Sequence, residues 1–322
     1  KPVAPVRRNI MLVAFVLGFL IPVVIVFVRE NMNTTVRGRK DLKNMNVPFL
    51  GEIPYYVGRK NRPTLEQRIR FWKKPKEVRQ MVVKAGKRDI VNEAFRVLRT
   101  NFEFTIGTHP EQNVIVFTSF NPGSGKSHLA ANMAMSLAIK KKKVLLIDGD
   151  LRHGSTSMVI NSPGEGLSDY LNGRVADIHD ILYKGEENGL VKYFDVIPIG
   201  TIPPNPTELL FTPLLEQMIK TMRQEYDYVF IDCPPIEVVA DTPIYEQFAD
   251  RTIFVVRSGL MERSMLPEIE ALYKEKKFKN MSLILNGTKA RGGRYGSHYG
   301  YGYGYGYGYN YNKEKNGGQN LK

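Results

Sequence analysis

The 322-residue chain reads as an α/β fold, a parallel sheet with helices on both faces, on three observations. Short runs of β-branched and aromatic residues at 114–117, 144–147, 194–199, 228–231, 253–256 and 283–285 alternate with helical stretches, the pattern of strands joined by crossover helices. Several of these runs end in residues that carry chemistry: a Gly-rich turn after the first, Asp148-Gly149-Asp150 after the second, Asp232 after the fourth and Asn286 after the last. In open parallel sheets ligands sit outside the carboxyl ends of the strands, so a single site can gather these residues.

Taken in order, residues 10–28 form an uncharged run of 19, interrupted only by Gly18 and Pro22. At ~1.5 Å per residue the run nearly crosses a bilayer's ~30 Å hydrocarbon core, so a transmembrane helix is expected over 1–28 with its N-terminal flank. No small-residue cleavage site follows, which disfavours a signal peptide. Lys1, Arg7 and Arg8 precede the run, and Arg29, Arg37, Arg39, Lys40 and Lys43 follow it, so the positive-inside rule puts the C-terminal side in the cytoplasm. Position 1 is Lys rather than Met, and a longer parent protein is expected.

Residues 29–88 hold 17 Lys/Arg against 5 Asp/Glu, most of the chain's net charge of +14. With Phe71, Trp72 and several prolines interleaved, the segment reads as a basic juxtamembrane linker. Next to an apolar span its expected partner is anionic lipid, each cation worth about 1 kcal/mol near the surface, rather than nucleic acid. Within it, 47–55 (VPFLGEIPY) is an apolar patch punctuated by Gly and Pro.

A folded domain is expected over 89–290. Residues 90–104 have helical periodicity, with Ala94, Leu98 and Phe102 on one face and Val91 and Phe95 beside it. Glu93, Arg96 and Arg99 recur at intervals of three on the same helix. Residues 166–171 and 178–183 read as helical, and a helix capped by Thr207 is expected after the prolines at 203–206. The lone Cys233 excludes an intrachain disulfide and suits a reducing compartment, and the five histidines show no zinc-ligand spacing. From 291 to 322 the chain alternates Gly with Tyr295, Tyr299, Tyr301, Tyr303, Tyr305, Tyr307, Tyr309 and Tyr311. Glycine at every second place leaves no core-forming face, so this tail is expected to be disordered.

The stretch 114–127, VIVFTSFNPGSGKS, has the strand, Gly-rich turn and helix start of a P-loop, which makes the fold P-loop NTPase-like. Gly123 and Gly125 let the backbone approach phosphate closely, and the new helix points free N–H groups at it, so Ser124 in the loop and Ser127 and His128 at the helix start are also candidate nucleotide-binding residues. Lys126 can reach the β/γ-phosphates and the Ser127 hydroxyl can sit on Mg²⁺. Phe120 falls where this motif usually has its first glycine. Ser127, Asp148 and Asp232 are the candidate Mg²⁺ residues, while Asp148 or Asp150 could orient or deprotonate an attacking hydroxyl. Asn286 is placed by its strand end beside the nucleotide.

On the motifs SFNPGSGKS (119–127), VLLIDGDLR (144–152) and VFIDCPP (229–235), with the tyrosine cluster and EAFRVLRTN (93–101), the chain resembles the bacterial tyrosine autokinases of capsule and exopolysaccharide systems. The resemblance implies an ATP- and Mg²⁺-dependent protein-tyrosine kinase of the bacterial inner membrane, with Lys126 on phosphate and Asp148 as the base, assisted by Asp150. It implies that Glu93, Arg96 and Arg99 pack against a neighbouring subunit in a ring-like homo-oligomer. The tail tyrosines would be phosphorylated in trans, and the cycle of ring assembly would regulate polysaccharide polymerisation and export. A cognate tyrosine phosphatase and polysaccharide export proteins are the implied partners. The alternative is a membrane-tethered ATPase switch of the MinD/ParA type without kinase activity. Asn121 stands where those relatives carry a signature lysine, and eight acceptor hydroxyls have no use in such a switch.

Overall fold

A computed structural model describes residues 7–31, 33–55, 81–107, 109, 111–237 and 241–289. The tail tyrosines and residues 56–80 of the basic segment lie outside the described residues.

Among the described residues seven strands form one sheet: β1 (Phe49–Pro54), β2 (Val114–Ser119), β3 (Val144–Asp148), β4 (Phe194–Ile197), β5 (Tyr228–Asp232), β6 (Arg251–Arg257) and β7 (Ser282–Thr288). They lie in the order β1-β7-β6-β2-β5-β3-β4, and every pairing is parallel. A strand buried on both faces needs apolar residues at every position, which is why VIVF and VLLI carry no polar alternation. Ile115, Phe117, Leu146 and Phe230 face α2 (Ile90–Ile106) and α3 (Lys126–Ala138). On that side the Phe117 and Phe230 rings lie 5.0 Å apart, and Phe102 meets Phe230 edge-on at 5.8 Å. Val116, Leu145, Ile147 and Ile231 face the opposite layer, which includes α4 (Leu167–Leu171), α6 (Pro213–Glu225) and α7 (Thr242–Glu246). Further along that layer α8 (Leu266–Lys274) covers β6 and β7 through Ile269.

The N-terminal helix α1 (Arg7–Asn31) behaves differently. All its residues from Ile10 to Val28 are exposed, whereas α2 buries Val91, Ala94, Phe95, Leu98 and Phe102. An apolar helix with no protein to bury it is long enough to cross a bilayer.

Three local readings change. Folded elements occupy part of the linker expected over 29–88: β1 adds an edge strand to β7, with Leu50 and Ile53 buried. Val36 N–H donates to the Met261 carbonyl at 2.8 Å, and Val36, Leu42 and Val47 are buried against the β6–β7 end of the sheet. Pro54 is tolerated because it closes an edge strand. The helix expected after 206 is two helices, α5 (Pro206–Leu209) and α6, because Pro213 starts a new helix at its first position. Thr207 is not a cap; its hydroxyl donates to Asp241 Oδ1 at 2.6 Å. The stretch 178–183 holds only a 3₁₀ turn, Ile178–Ile181, whose start is held by the Asp177 carboxylate accepting from His179 N–H.

Candidate active site

The phosphate loop leaves β2 beside β5 and turns at Gly123 and Gly125, whose φ angles of +74° and +90° favour glycine. A Cβ on Gly125 would strike the Asn286 side-chain amide. That amide donates to the Ser124 carbonyl at 2.8 Å and so holds the loop from β7. Ser119 Oγ and Ser124 Oγ both donate to the Asn121 carbonyl, and Asn121 Nδ2 donates to Glu237 beyond β5. Phe120, at the position of the usual first glycine, is buried with Val256 and Leu285. A core side chain therefore stands where the usual motif has a glycine. Lys126 is buried at the first position of α3, with Ser127 half-buried beside it.

The register of β3 against β5 sets Asp148 directly opposite Asp232. Both carboxylates are essentially buried. Asp148 Oδ2 accepts from the Ser157 N–H and hydroxyl, each at 2.7 Å, and Asp232 Oδ2 accepts from Thr156 Oγ1 at 2.6 Å. The other oxygen of each, Oδ1, has no hydrogen-bond partner among the described residues. Burial, with the Asp232 charge adding to it, pushes the Asp148 carboxyl up to about 8. Burial also raises Asp232, against the pull of the Lys126 ammonium and the Ser127 and Thr156 hydroxyls. Asp150 lies nearer the surface, where Oδ1 accepts from Arg152 N–H at 3.2 Å and meets His153 Nδ1 at 3.3 Å.

Two buried carboxylates with unpartnered oxygens beside a hydroxyl and a phosphate loop fit Mg²⁺, which is held through one or two carboxylates and completes its shell with substrate phosphates and water. Among the described residues no group of three His, Cys, Asp or Glu side chains is placed to hold a metal by itself.

The other candidates are less uniformly assembled. The His128 imidazole packs edge-on to Phe95 and meets Asn132, so a phosphate contact here would come from its backbone N–H. Arg96 pairs with Glu93 and donates to the Lys87 carbonyl at 2.7 Å. Arg99 turns inward and donates to the Ser136 carbonyl on α3 at 2.7 Å. Sequence reasoning missed Ser157 and Thr156, which hold the two carboxylates, and Arg257, whose guanidinium flanks Gly125 and lies 5.9 Å from the Tyr55 ring centre. Only their proximity in the fold marks them.

A Gly-Lys-Ser loop facing carboxylates on two adjacent strand ends defines a nucleotide-binding P-loop domain with the phosphate loop and the acidic pair on one edge of a parallel sheet. Residues 112–280 match a family model described as an AAA domain. The chain is 33% identical over 208 residues to tyrosine-protein kinase CpsD of Streptococcus agalactiae, covering 64% of this chain and 87% of that protein. It is 32% identical over 272 residues to tyrosine-protein kinase wzc of Salmonella typhimurium, covering 83% of this chain and 36% of that protein. Among solved structures, the kinase domain of Escherichia coli tyrosine kinase ETK superposes with a TM-score of 0.67 at 28% identity, covering 83% of this chain and 100% of that one. The BceF tyrosine kinase domain gives a TM-score of 0.63 at 29% identity, covering 79% and 99%. The chain belongs to the bacterial tyrosine-protein kinase family. It spans 36–38% of the length of the longer relatives that it matches.

Proposed function

We infer that the protein is a membrane-anchored, Mg·ATP-dependent tyrosine autokinase that phosphorylates its own C-terminal tyrosines in trans and thereby regulates polysaccharide polymerisation and export. The observation that carries this reading is the carboxylate pair at the phosphate loop, in a chain ending in eight closely spaced tyrosines. Phosphoryl transfer needs charge neutralisation and a positioned acceptor more than covalent chemistry. Lys126 and the loop amides take the ATP phosphates. A Mg²⁺ held by Ser127 and Asp232 would neutralise phosphate charge. Asp148 holds a proton at neutral pH in the nucleotide-free site. The positive charge of Lys126 and a bound Mg²⁺ would favour its ionised form, which accepts the proton of an incoming tyrosine hydroxyl while Asp150 orients it. The phenolic oxygen then bonds the γ-phosphorus as the bond to the leaving ADP oxygen breaks.

The anchor is α1, with its C-terminal flank and the basic segment against anionic lipid of the bacterial inner membrane. Glu93 and Arg96 face the neighbouring subunit of a homo-oligomer, and the inward Arg99 steadies α2 on α3 behind them. Phosphorylation adds about −1.5 to −2 charges per tyrosine, enough repulsion to loosen the assembly and expose the tails to a tyrosine phosphatase.

Incubating the full chain with Mg·ATP and reading its intact mass tests the activity. Stepwise phosphate additions that map to the tail and vanish in Lys126→Met are expected. ATP turnover without mass change would instead indicate an ATPase switch. Mixing Lys126→Met with a tail-deleted active chain tests the trans step, and an unlabelled tail on the Lys126→Met chain would refute it.

A further inference from the structure

Tyr245 on α7 is fully buried, and its hydroxyl has no hydrogen-bond partner among the described residues. Its surroundings make that unusual. The hydroxyl-bearing ring carbon presses on the turn between the two aspartates, where a Cβ on Gly149 would lie 3.1 Å from it. The same turn is fastened to β5 by Gly149 N–H donating to the Asp232 carbonyl at 2.9 Å. Asp148 Oδ1 and Asp232 Oδ1 are acceptors without donors in this neighbourhood, while the phenol is a donor without an acceptor.

Slack packing does not explain the mismatch. Thr242 Oγ1, at the start of α7, donates to the Pro234 carbonyl at 3.0 Å. Asp241, just before it, accepts from Thr207 Oγ1 at 2.6 Å and from Arg152 Nη2 at 3.4 Å. The helix is therefore fixed to both acidic strand ends, and its phenol is held against the one turn that carries Asp148 and Asp150. A phenylalanine would fill the same volume without an unpaired buried donor. The hydroxyl has a use only in a state where an acceptor reaches it.

We propose that Tyr245 is a positioning residue for phosphoryl transfer, its hydroxyl donating to the Asp148 carboxylate in the nucleotide-bound state and holding the Asp148-Gly149-Asp150 turn in its working geometry. This rests on the kinase reading for its catalytic consequence, but its structural consequence is independent of that reading. The full chain and Tyr245→Phe are compared by thermal midpoint with EDTA, by midpoint with Mg²⁺ and a non-hydrolysable ATP analogue, and by the kcat and KM of phosphate transfer. The variant should melt no lower than the parent without nucleotide, gain less from the analogue, and lose about tenfold in kcat with an unchanged KM for ATP. A lower midpoint without nucleotide and an unchanged gain would show an ordinary structural hydrogen bond and overturn the proposal. So would failure to fold, or identity with the parent in all readouts. Should the parent transfer no phosphate, the kinase reading fails, and the two midpoints still decide the role of Tyr245.

Discussion

Replacing Asp148 by Asn should stabilise the nucleotide-free protein at neutral pH while abolishing its activity. The carboxyl is fully buried opposite Asp232, and its pKa is raised to about 8 by burial and by that neighbouring charge. An unfolded aspartate titrates near ~3.9. Between about pH 4 and pH 8 the folded state therefore holds a proton that the unfolded state has released. Stability from this group is complete below about pH 4 and is lost as pH rises toward 8, at up to about 1.4 kcal/mol per pH unit. For a domain of this size that is roughly 3–6 °C in Tm per unit. The asparagine amide oxygen can accept the same two hydrogen bonds from Ser157 and carries no charge, so Asp148→Asn should flatten the profile and be more stable at pH 7 by on the order of 2–4 kcal/mol. His179, raised by its bonds to Asp177 and Glu225, contributes a slope of the same sign, but it is exposed and common to both proteins. Asp232, also raised by burial, contributes a slope of the same sign, so the difference between the two profiles reports Asp148 together with its coupling to Asp232. Thermal midpoints at pH 5.5, 6.5 and 7.5 in EDTA provide the assay. Parallel profiles for parent and variant would refute the reasoning, because they would mean that Asp148 is ionised in the folded protein throughout.

Three further outcomes are expected. Asn132→Ala should cost about 2–4 kcal/mol, because Asn132 Oδ1 accepts from the buried Val82 and Val83 N–H groups at 2.8 and 3.0 Å; faster hydrogen exchange at those two amides would check the cause. Asn286→Ala should raise the KM for ATP about five- to tenfold with little change in kcat, since its bond to the Ser124 carbonyl holds the loop rather than the reacting atoms; an unchanged KM would remove Asn286 from the site. Deleting residues 1–31 should release the protein from uncharged phosphatidylcholine vesicles in a flotation assay, where the basic segment has no anionic lipid to hold, whereas equal flotation of both forms would place the anchor elsewhere.

Much of the site was legible because its chemistry is local. An apolar run that stops at a Gly-rich turn or at an aspartate announces a buried strand and what stands at its end, so Lys126, Ser127, Asp148, Asp150, Asp232 and Asn286 could be placed at strand ends without any structure. The strand β1 was not legible. FLGEIP is short, broken by Gly51 and closed by Pro54, and becomes a strand only because β7, at the other end of the domain, offers it an open edge. The segment around Val82 and Val83 had no readable pattern either, since its backbone is satisfied by the side chains of Asn92 and Asn132 on two different helices. Phe120 departs from the phosphate-loop pattern because it is part of the core with Val256 and Leu285, which no local pattern announces.

By itself, then, the sequence determined the strand–helix alternation, the phosphate loop, the acidic strand ends and the apolar span, because each depends on residues a few positions apart. Only the tertiary structure decided that Asp148 faces Asp232, that Ser157 and Thr156 hold them, and that Tyr245 presses on the turn between Asp148 and Asp150. Those relations depend on strand register and side-chain packing between distant segments, where burial and the exclusion of water set the energies and no local pattern records the partner.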